Sequence, residues 1–269
     1  MRTVAEVYGS DFAEAEEFDE ALGRSHDPCG PEMLFDLVAE LGLPPGSMAL
    51  DVGARQAHYS IELARRFAFT VHGVEPVRCH LDDAAVAIAA AEPDVASRVR
   101  IDEGVAEQLA EPDDSVDLIW CRDVLVHVLD LEAVFREFRR VLRPGGHAVI
   151  FQMMATDWLT PAEADRLWPP VGVHASSADP ARFDAAIAAG GLVIDRCIEL
   201  QGSWRERSEE DGQGRTSEQL LWSSRLLRNR TMYEERFGRA AYEATLSNCL
   251  WGVYQMIGKL NPRVYVLSR

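Results

Sequence analysis

The sequence predicts an α/β protein built on a doubly wound, mostly parallel sheet with helices on both faces. Three observations carry this. Short apolar runs alternate with helical periodicity from Met48 to Phe151, a single Gly53 marks a tight turn between the first strand and the helix after it, and the second strand ends in a carboxylate, Glu75, 22 residues past that glycine. Strands separated by helices cannot pair as hairpins, so each must cross over and return parallel, with its helix covering one face.

Residues 1–46 hold an acidic, helix-favouring stretch (11–22), a Gly/Pro/Ser-rich break at 23–31, and a helix over 32–41. In that helix Leu34, Leu37, Val38 and Leu41 recur at helical spacing, and Gly42 and Pro44-Pro45-Gly46 stop it. Because it precedes the first strand, this segment packs beside or over the sheet. Its role is either to cap apolar surface or to act as a lid presenting Tyr8, His26 or Asp27 to a site.

The first strand is Met48–Val52, followed by the Gly53 turn and a helix over 57–67. Such a corner turns backbone N–H groups and the positive helix end toward a ligand, and a residue without a Cβ allows close approach. A dinucleotide fingerprint needs three glycines, and Arg55 and Ala57 occupy the second and third places. The next strand, Thr70–Glu75, places its acid close to the spacing of about 20 at which a carboxylate holds ribose hydroxyls. Turn and acid together form a cofactor half-site; the alternative is an ordinary βαβ unit with a surface Glu.

An alanine-rich helix (81–91) closes near Pro93, and strands follow at Val99–Glu103 and 116–120. Asp130 can cap a helix whose Val134, Phe135, Phe138, Val141 and Leu142 form one apolar stripe. Arg136, Arg139, Arg140 and Arg143 gather at its negative end, and Pro144-Gly145-Gly146 ends it before a strand at 147–151. Further on come a short helix Pro161–Leu167, a helix at 181–189 ended by Gly190-Gly191, a strand at 192–200 and a loop-like charged stretch at 201–216. A long helix carries Leu246, Leu250, Val253, Ile257 and Leu260 in register, with Pro262 past its end, before a last strand at 264–267.

The 269 residues, 47% of them hydrophobic, can bury a substantial core. A net charge of −17, from 44 acidic against 27 basic residues, repels phosphate backbones and acidic membranes, so no nucleic acid or membrane partner is expected. No apolar run reaches the length of a membrane span, and an acidic N-terminus does not read as a signal or transit peptide, so a cytoplasmic address is expected. The five cysteines and seven histidines show neither a CxxC nor an HExxH spacing, which predicts free thiols and no metal site.

In an open α/β sheet, ligands lie beyond the carboxyl ends of the strands. Those ends here carry Gly53 to Ala57, Glu75, Val105 to Glu107, Cys121 to His127, and Met153 to Asp157, polar equipment for a nucleoside with a charged tail. In order along the chain, Asp51-Val-Gly-Ala, Gly-Val-Glu75-Pro76, Gly104-Val-Ala-Glu107, Asp113-Asp-Ser-Val-Asp-Leu-Ile, Arg122-Asp-Val-Leu-Val-His127-Val and Arg139-Arg-Val-Leu-Arg-Pro-Gly-Gly146 resemble the successive motifs of class I S-adenosylmethionine-dependent methyltransferases. The likeness covers residues 47–151, and its specificity lies in the ordered set. The Arg-Asp…His segment is most similar to the small-molecule branch that includes phosphoethanolamine, sarcosine and ubiquinone/menaquinone-type methyltransferases.

The resemblance implies a Rossmann-like, seven-stranded, mostly parallel sheet with a helical cap. Residues 1–46 would be an N-terminal helical lid, 47–151 the cofactor-binding core, and 152–269 the rest of the sheet with substrate-cap insertions. It implies S-adenosyl-L-methionine as cofactor and S-adenosyl-L-homocysteine as product. Asp51 would belong to the cofactor site, Gly53 and Ala54 would lie along the methionine moiety, and Glu75, followed by Pro76, would hold the ribose hydroxyls. Arg122 would approach the cofactor carboxylate and Cys121 would line the methionine pocket. Where the family often has an Asp to accept from the adenine amino group, this chain has Val105; Ala106 still offers a backbone N–H, and Glu107 is a candidate acceptor. Arg55, in place of a glycine, is a second carboxylate clamp, a sign of a different ligand, or a solvent-facing residue.

In phosphoethanolamine methyltransferases the residues matching Asp123 and His127 are functional, which marks both as catalytic candidates. An imidazole suits the removal of a proton from the acceptor near neutrality; the alternative is that His127 only orients its neighbouring helix. Trp158, Trp204, Trp222, Trp251 and Tyr254 would suit an aromatic or hydrophobic acceptor, or a cation over a ring, unless they are core packing. No phosphate-binding pattern is evident. The reading is methyl transfer to an N, O or C atom of a small molecule of the kind met in secondary metabolism, with a non-methylating relative catalysing cyclisation or rearrangement as the alternative. The striped C-terminal helix would either form a homodimer or pack within the chain.

Overall fold

The computed structural model describes residues 18, 20–23 and 29–269. Tyr8, His26, Asp27 and most of the helix expected at 11–22 lie outside the described residues, and with them the lid reading.

Seven strands form one sheet in the order β3-β2-β1-β4-β5-β7-β6. They are β1 (Met48–Val52), β2 (Thr70–Glu75), β3 (Val99–Glu103), β4 (Val116–Arg122), β5 (Leu142–Ala155), β6 (Val193–Glu199) and β7 (Leu260–Ser268). All neighbours pair in parallel except β7, which runs antiparallel to both β5 and β6. Strand order reverses between β1 and β4, so the crossovers on the two sides diverge there and leave a crevice at the strands' carboxyl ends.

Helices α1 (Pro31–Glu40), α2 (His58–Phe67), α3 (Arg78–Ala90) and the single turn α4 (Pro93–Ala96) precede β3, and α5 (Leu131–Val141) joins β4 to β5. After β5 come α6 (Pro161–Leu167) and α7 (Pro180–Ala189). Between β6 and β7 lie α8 (Ser203–Glu210), α9 (Arg215–Arg228), α10 (Arg230–Phe237) and α11 (Arg239–Met256). The period of two along the strands divides the core. Leu50, Val52, Ile119 and Cys121 face Phe135 and Phe138 of α5 and Phe183 of α7, while Ala49, Leu118 and Trp120 face Leu34 and Phe35 of α1 and Leu63 of α2. Asp130 caps α5 as expected, its carboxylate accepting from the Ala133 N–H at 2.9 Å.

Leu142, expected on the apolar stripe of α5, instead opens β5 because the helix ends at Val141, and two further expectations fail in the C-terminal part. Residues 203–210 form helix α8, because Trp204 packs against Phe151 with ring centroids 4.7 Å apart and so supplies an apolar anchor absent from the local charge pattern. The long helix α11 ends at Met256, and a left-handed Gly258 (φ +78°) turns the chain into β7. Leu260 and Pro262 therefore belong to a strand, opposite Ala155 and Met153 of β5. A leucine wanted by the core on either geometry cannot distinguish the two. The stripe on α11 is used inside the chain: Leu246 packs with Tyr242 and Cys249, and Leu250 with the cluster around Trp168.

Candidate active site

A cavity of about 1020 Å³ opens at the reversal point, floored by the ends of β1, β2 and β4 and roofed by α8, α9 and α11. Its base is the turn after β1. The N–H groups of Gly53 and Ala54 both donate to the Val74 carbonyl, at 2.9 and 3.1 Å, which pins the turn to β2. Gly53 takes φ +75°, and a Cβ there would lie 2.1 Å from Val124 Cγ2, so this position accepts only glycine without rearrangement. Arg55 (φ 47°), Ala57 (φ 63°) and Asp123 (φ 56°) are also left-handed, although none is a glycine. Such conformations persist where the surrounding structure enforces them, and they gather at functional sites.

Glu75, at the end of β2, is buried and fixed. Its Oε2 accepts from the Arg55 N–H at 3.0 Å, and its Oε1 accepts from the Val77 N–H at 3.0 Å and lies 3.1 Å from His80 Nδ1. Asp51 lies below it, accepting a 2.5 Å hydrogen bond from Ser60 Oγ. Burial, opposed by that bond and reinforced by the Glu75 charge, pushes the Asp51 carboxyl up to about 7.

At the end of β4 the side chains alternate. Arg122 turns its guanidinium toward three rings, with its central carbon 4.9 Å from the Tyr59 centroid, 5.4 Å from Phe151 and 5.6 Å from Trp204. Its Nε is buried and has no acceptor among the described residues. Cys121 points the opposite way, into the α5 and α7 side of the core, and its burial pushes the thiol up. It is therefore absent from the cavity wall where the methionine-pocket role required it, because one step along a strand reverses the face.

Asp123 and His127 both line the cavity. Asp123 is held by its own N–H, which donates to the Phe151 carbonyl at 2.7 Å. Its Oδ1 is buried with no partner among the described residues, and burial raises its carboxyl, with Arg122 opposing. His127 Nδ1 lies 2.9 Å from the Gly172 carbonyl. A carbonyl can only accept, so Nδ1 is the protonated nitrogen, and the neutral ring carries its lone pair on Nε2. After β3, exposed Val105 and Glu107 and buried Ala106 form a further stretch of wall, with Pro76 nearby.

The cavity thus brings together Asp51, Gly53, Ala54, Arg55, Glu75, Pro76, Val105, Ala106, Glu107, Arg122, Asp123 and His127, and leaves out Cys121. Of the aromatic candidates, Trp251 lines it and Trp204 supports Arg122, whereas Trp158 and Trp222 are 70% and 43% exposed. Tyr254 stacks with Lys259 in the cap. Sequence reasoning missed Tyr59, His80, Arg205, Gln219 and Asn248. Only His80 carries a local signal, one helical turn past Glu75. Tyr59 stands in the first turn of α2, directly after the β1 turn, whereas Arg205, Gln219 and Asn248 reach the site from distant helices.

The residues present fit a sulfonium nucleoside. A fixed carboxylate, a glycine-only bend and a half-buried arginine whose Nε has no acceptor among the described residues share one cavity. Among the described residues no group of three or more His, Cys, Asp or Glu is arranged to hold a metal ion, and no helix is long and apolar enough to cross a membrane.

Residues 50–150 match the family described as "Methyltransferase domain". The chain is 31% identical over 203 residues to the dimethylglycine N-methyltransferase of Parasynechococcus marenigrum (strain WH8102), a match covering 71% of this chain and 64% of that protein. The chain spans less than two thirds of the length of the curated relatives it matches. Two solved structures share the fold. The [4+2]-cyclase SpnF superposes with TM-score 0.68 at 19% identity, covering 100% of this chain and 97% of that one. A geranyl diphosphate methyltransferase in complex with SAM gives 0.64 at 16% identity, covering 97% and 92%. The domain match, the ordered motifs and the sheet order together show that residues 50–150 are similar to the methyltransferase domain of class I S-adenosyl-L-methionine-dependent enzymes.

Proposed function

We propose that the protein transfers a methyl group from S-adenosyl-L-methionine to an N, O or C atom of a small-molecule acceptor, with S-adenosyl-L-homocysteine as the second product. The observation that carries this is the pairing, in one cavity, of Glu75 fixed by two backbone N–H groups with Arg122 left without a carboxylate partner among the described residues. When bound, the cofactor supplies a methyl group already activated by a positively charged sulfur. Glu75 holds its sugar hydroxyls, Arg122 its carboxylate, the backbone of Gly53 and Ala54 its amino-acid chain, and the wall from Val105 to Glu107, with Pro76, its base.

Because the donor is intrinsically reactive, the chain's work is mostly alignment and exclusion of water. The roof of α8, α9 and α11 excludes water, and Val128, Pro170, Val171 and Trp251 offer an apolar wall that supports an acceptor with a hydrophobic or aromatic part. His127, with Nδ1 committed to the Gly172 carbonyl, receives the acceptor's proton on Nε2. Asp123 supplies an unpartnered carboxylate oxygen that steadies a cationic acceptor or the imidazolium beside it. A cytoplasmic address and an acceptor from secondary metabolism complete the reading.

Calorimetric titration with S-adenosylmethionine and S-adenosylhomocysteine tests the cofactor, and homocysteine release with a panel of amines and phenols tests transfer. Binding followed by a product heavier by one methyl group supports the proposal. An isomerised product of unchanged mass replaces it with the cyclisation or rearrangement alternative, and absence of binding overturns both.

A further inference from the structure

We propose that Arg205 selects an acceptor bearing a carboxylate, which docks on its guanidinium at the roof of the cavity. The inference rests on the methyltransferase reading for the identity of the site, and it adds the chemical class of the second substrate.

Arg205 sits in the first turn of α8 and lines the same cavity as Asp123 and His127. Its Nε donates to Gln255 Oε1 at 2.7 Å and its Nη1 to Gln219 Oε1 at 3.4 Å. Both acceptors are neutral amides, and Arg205 forms no ion pair with a described carboxylate. Nη2, at the end of the fork, has no acceptor among the described residues, so donors in the planar geometry that suits a carboxylate remain. Burial pulls the guanidinium down from its usual range, opposed by the Asp123 and Glu209 carboxylates, neither of which bonds it.

The support behind Arg205 is built for this purpose. Gln255 is 1% exposed, and its Oε1 is committed to Arg205. Gln219 reaches over Gly252, where a Cβ would lie 1.7 Å from Gln219 Oε1. The absence of a side chain on α11 therefore makes the room in which the second amide sits. A fork held at one edge by neutral partners is preoriented at the other.

Asp123 and Arg205 attract one another across the cavity but do not bond. The carboxylate keeps an unpartnered Oδ1, and among the described residues the guanidinium bonds only the two amides, through Nε and Nη1. Two opposite charges held apart in one space suit a ligand with a basic nitrogen toward Asp123 and an acid toward Arg205. Arg122 also faces Arg205 and repels it; with the cofactor carboxylate on Arg122, a second anion is needed to relieve the other guanidinium. A net charge of −17 gives the protein no long-range attraction for anions, so the capture must be local.

The test uses the full chain, as wild type, Arg205→Gln and Arg205→Lys, with and without S-adenosylhomocysteine. Calorimetry compares two matched probe pairs: N,N-dimethylglycine against its amide, and phenylacetate against phenylacetamide. The wild type is expected to bind an acid at least tenfold more tightly than its amide. Arg205→Gln should lose that preference while its affinity for S-adenosylhomocysteine stays within twofold, and Arg205→Lys should keep part of it. If no acid in either pair binds better than its amide, or if Arg205→Gln retains the preference, the proposal is overturned. Failure of the wild type to bind S-adenosylhomocysteine overturns the methyltransferase reading separately, since the acid and amide comparison is also made on the free protein.

Discussion

Gly53 and Val124 are in contact so close that a methyl group added to the first would overlap the second: a built Cβ lies 2.1 Å from Val124 Cγ2. This contact locks the turn after β1 against the loop after β4, so the two segments that carry the proposed cofactor contacts and the catalytic candidates are positioned together. Gly53→Ala should destabilise the fold by roughly 2–4 kcal/mol, combining the left-handed backbone with overpacking. Adding Val124→Ala should recover the packing part and leave about 1–2 kcal/mol of backbone strain. Urea denaturation of the two single variants and the double variant measures the coupling. Complete recovery in the double variant would show that φ +75° carries no cost.

Glu75 accepts from the backbone of Arg55 and Val77, so its position is set before any ligand arrives. Removing the charge with Glu75→Gln should weaken S-adenosylhomocysteine binding by roughly 10- to 100-fold, the range for a lost charge-assisted hydrogen bond. Calorimetry reads this directly. Unchanged affinity would move the sugar elsewhere.

The tautomer imposed on His127 by the Gly172 carbonyl makes a kinetic prediction. His127→Ala should lower kcat by roughly 10²- to 10⁴-fold for an acceptor that must lose a proton, flatten the acid limb of the pH profile, and leave S-adenosylhomocysteine binding within a few-fold. Near-normal turnover across the pH range would reduce His127 to a residue that fixes the Leu125–His127 turn.

Asp51 links the site to pH. Its carboxyl is raised by burial to about 7, above its value in an unfolded chain. Protonation therefore favours the folded state. The stability it contributes is complete below about pH 4, declines as pH rises toward 7, and is gone above it, a loss of up to ~4 kcal/mol. Asp51→Asn should remove that slope. Denaturation at pH 5 and pH 8 checks it: the asparagine variant gains on the wild type at the higher pH, and parallel curves for the two proteins would rule the linkage out.

What could be read locally was read from periodicity and from side chains that act through their own backbone neighbourhood. The limits of β1 follow from a short apolar run, and those of β2 and β3 from short extended stretches between turn residues. The Asp130 cap and the short helix Pro161–Leu167 are likewise local events. The acid at the end of β2 could be found by counting because a βαβ unit fixes the distance between a turn and the next strand end. Arg205, Gln219 and Asn248 could not, since nothing near them in the chain marks them as facing a cavity.

The sequence by itself determined the alternating core and the ordered set of residues at its strand ends, because those depend on spacings of two, of three to four, and of one crossover. Tertiary structure alone decided that Cys121 faces the core while Arg122 enters an aromatic pocket, that residues 203–210 coil into a helix on Phe151, and that the chain after Met256 turns into a strand. Each of these depends on free energy gained against a partner far away in the chain. Contacts of that kind leave no periodic trace in the segments that make them.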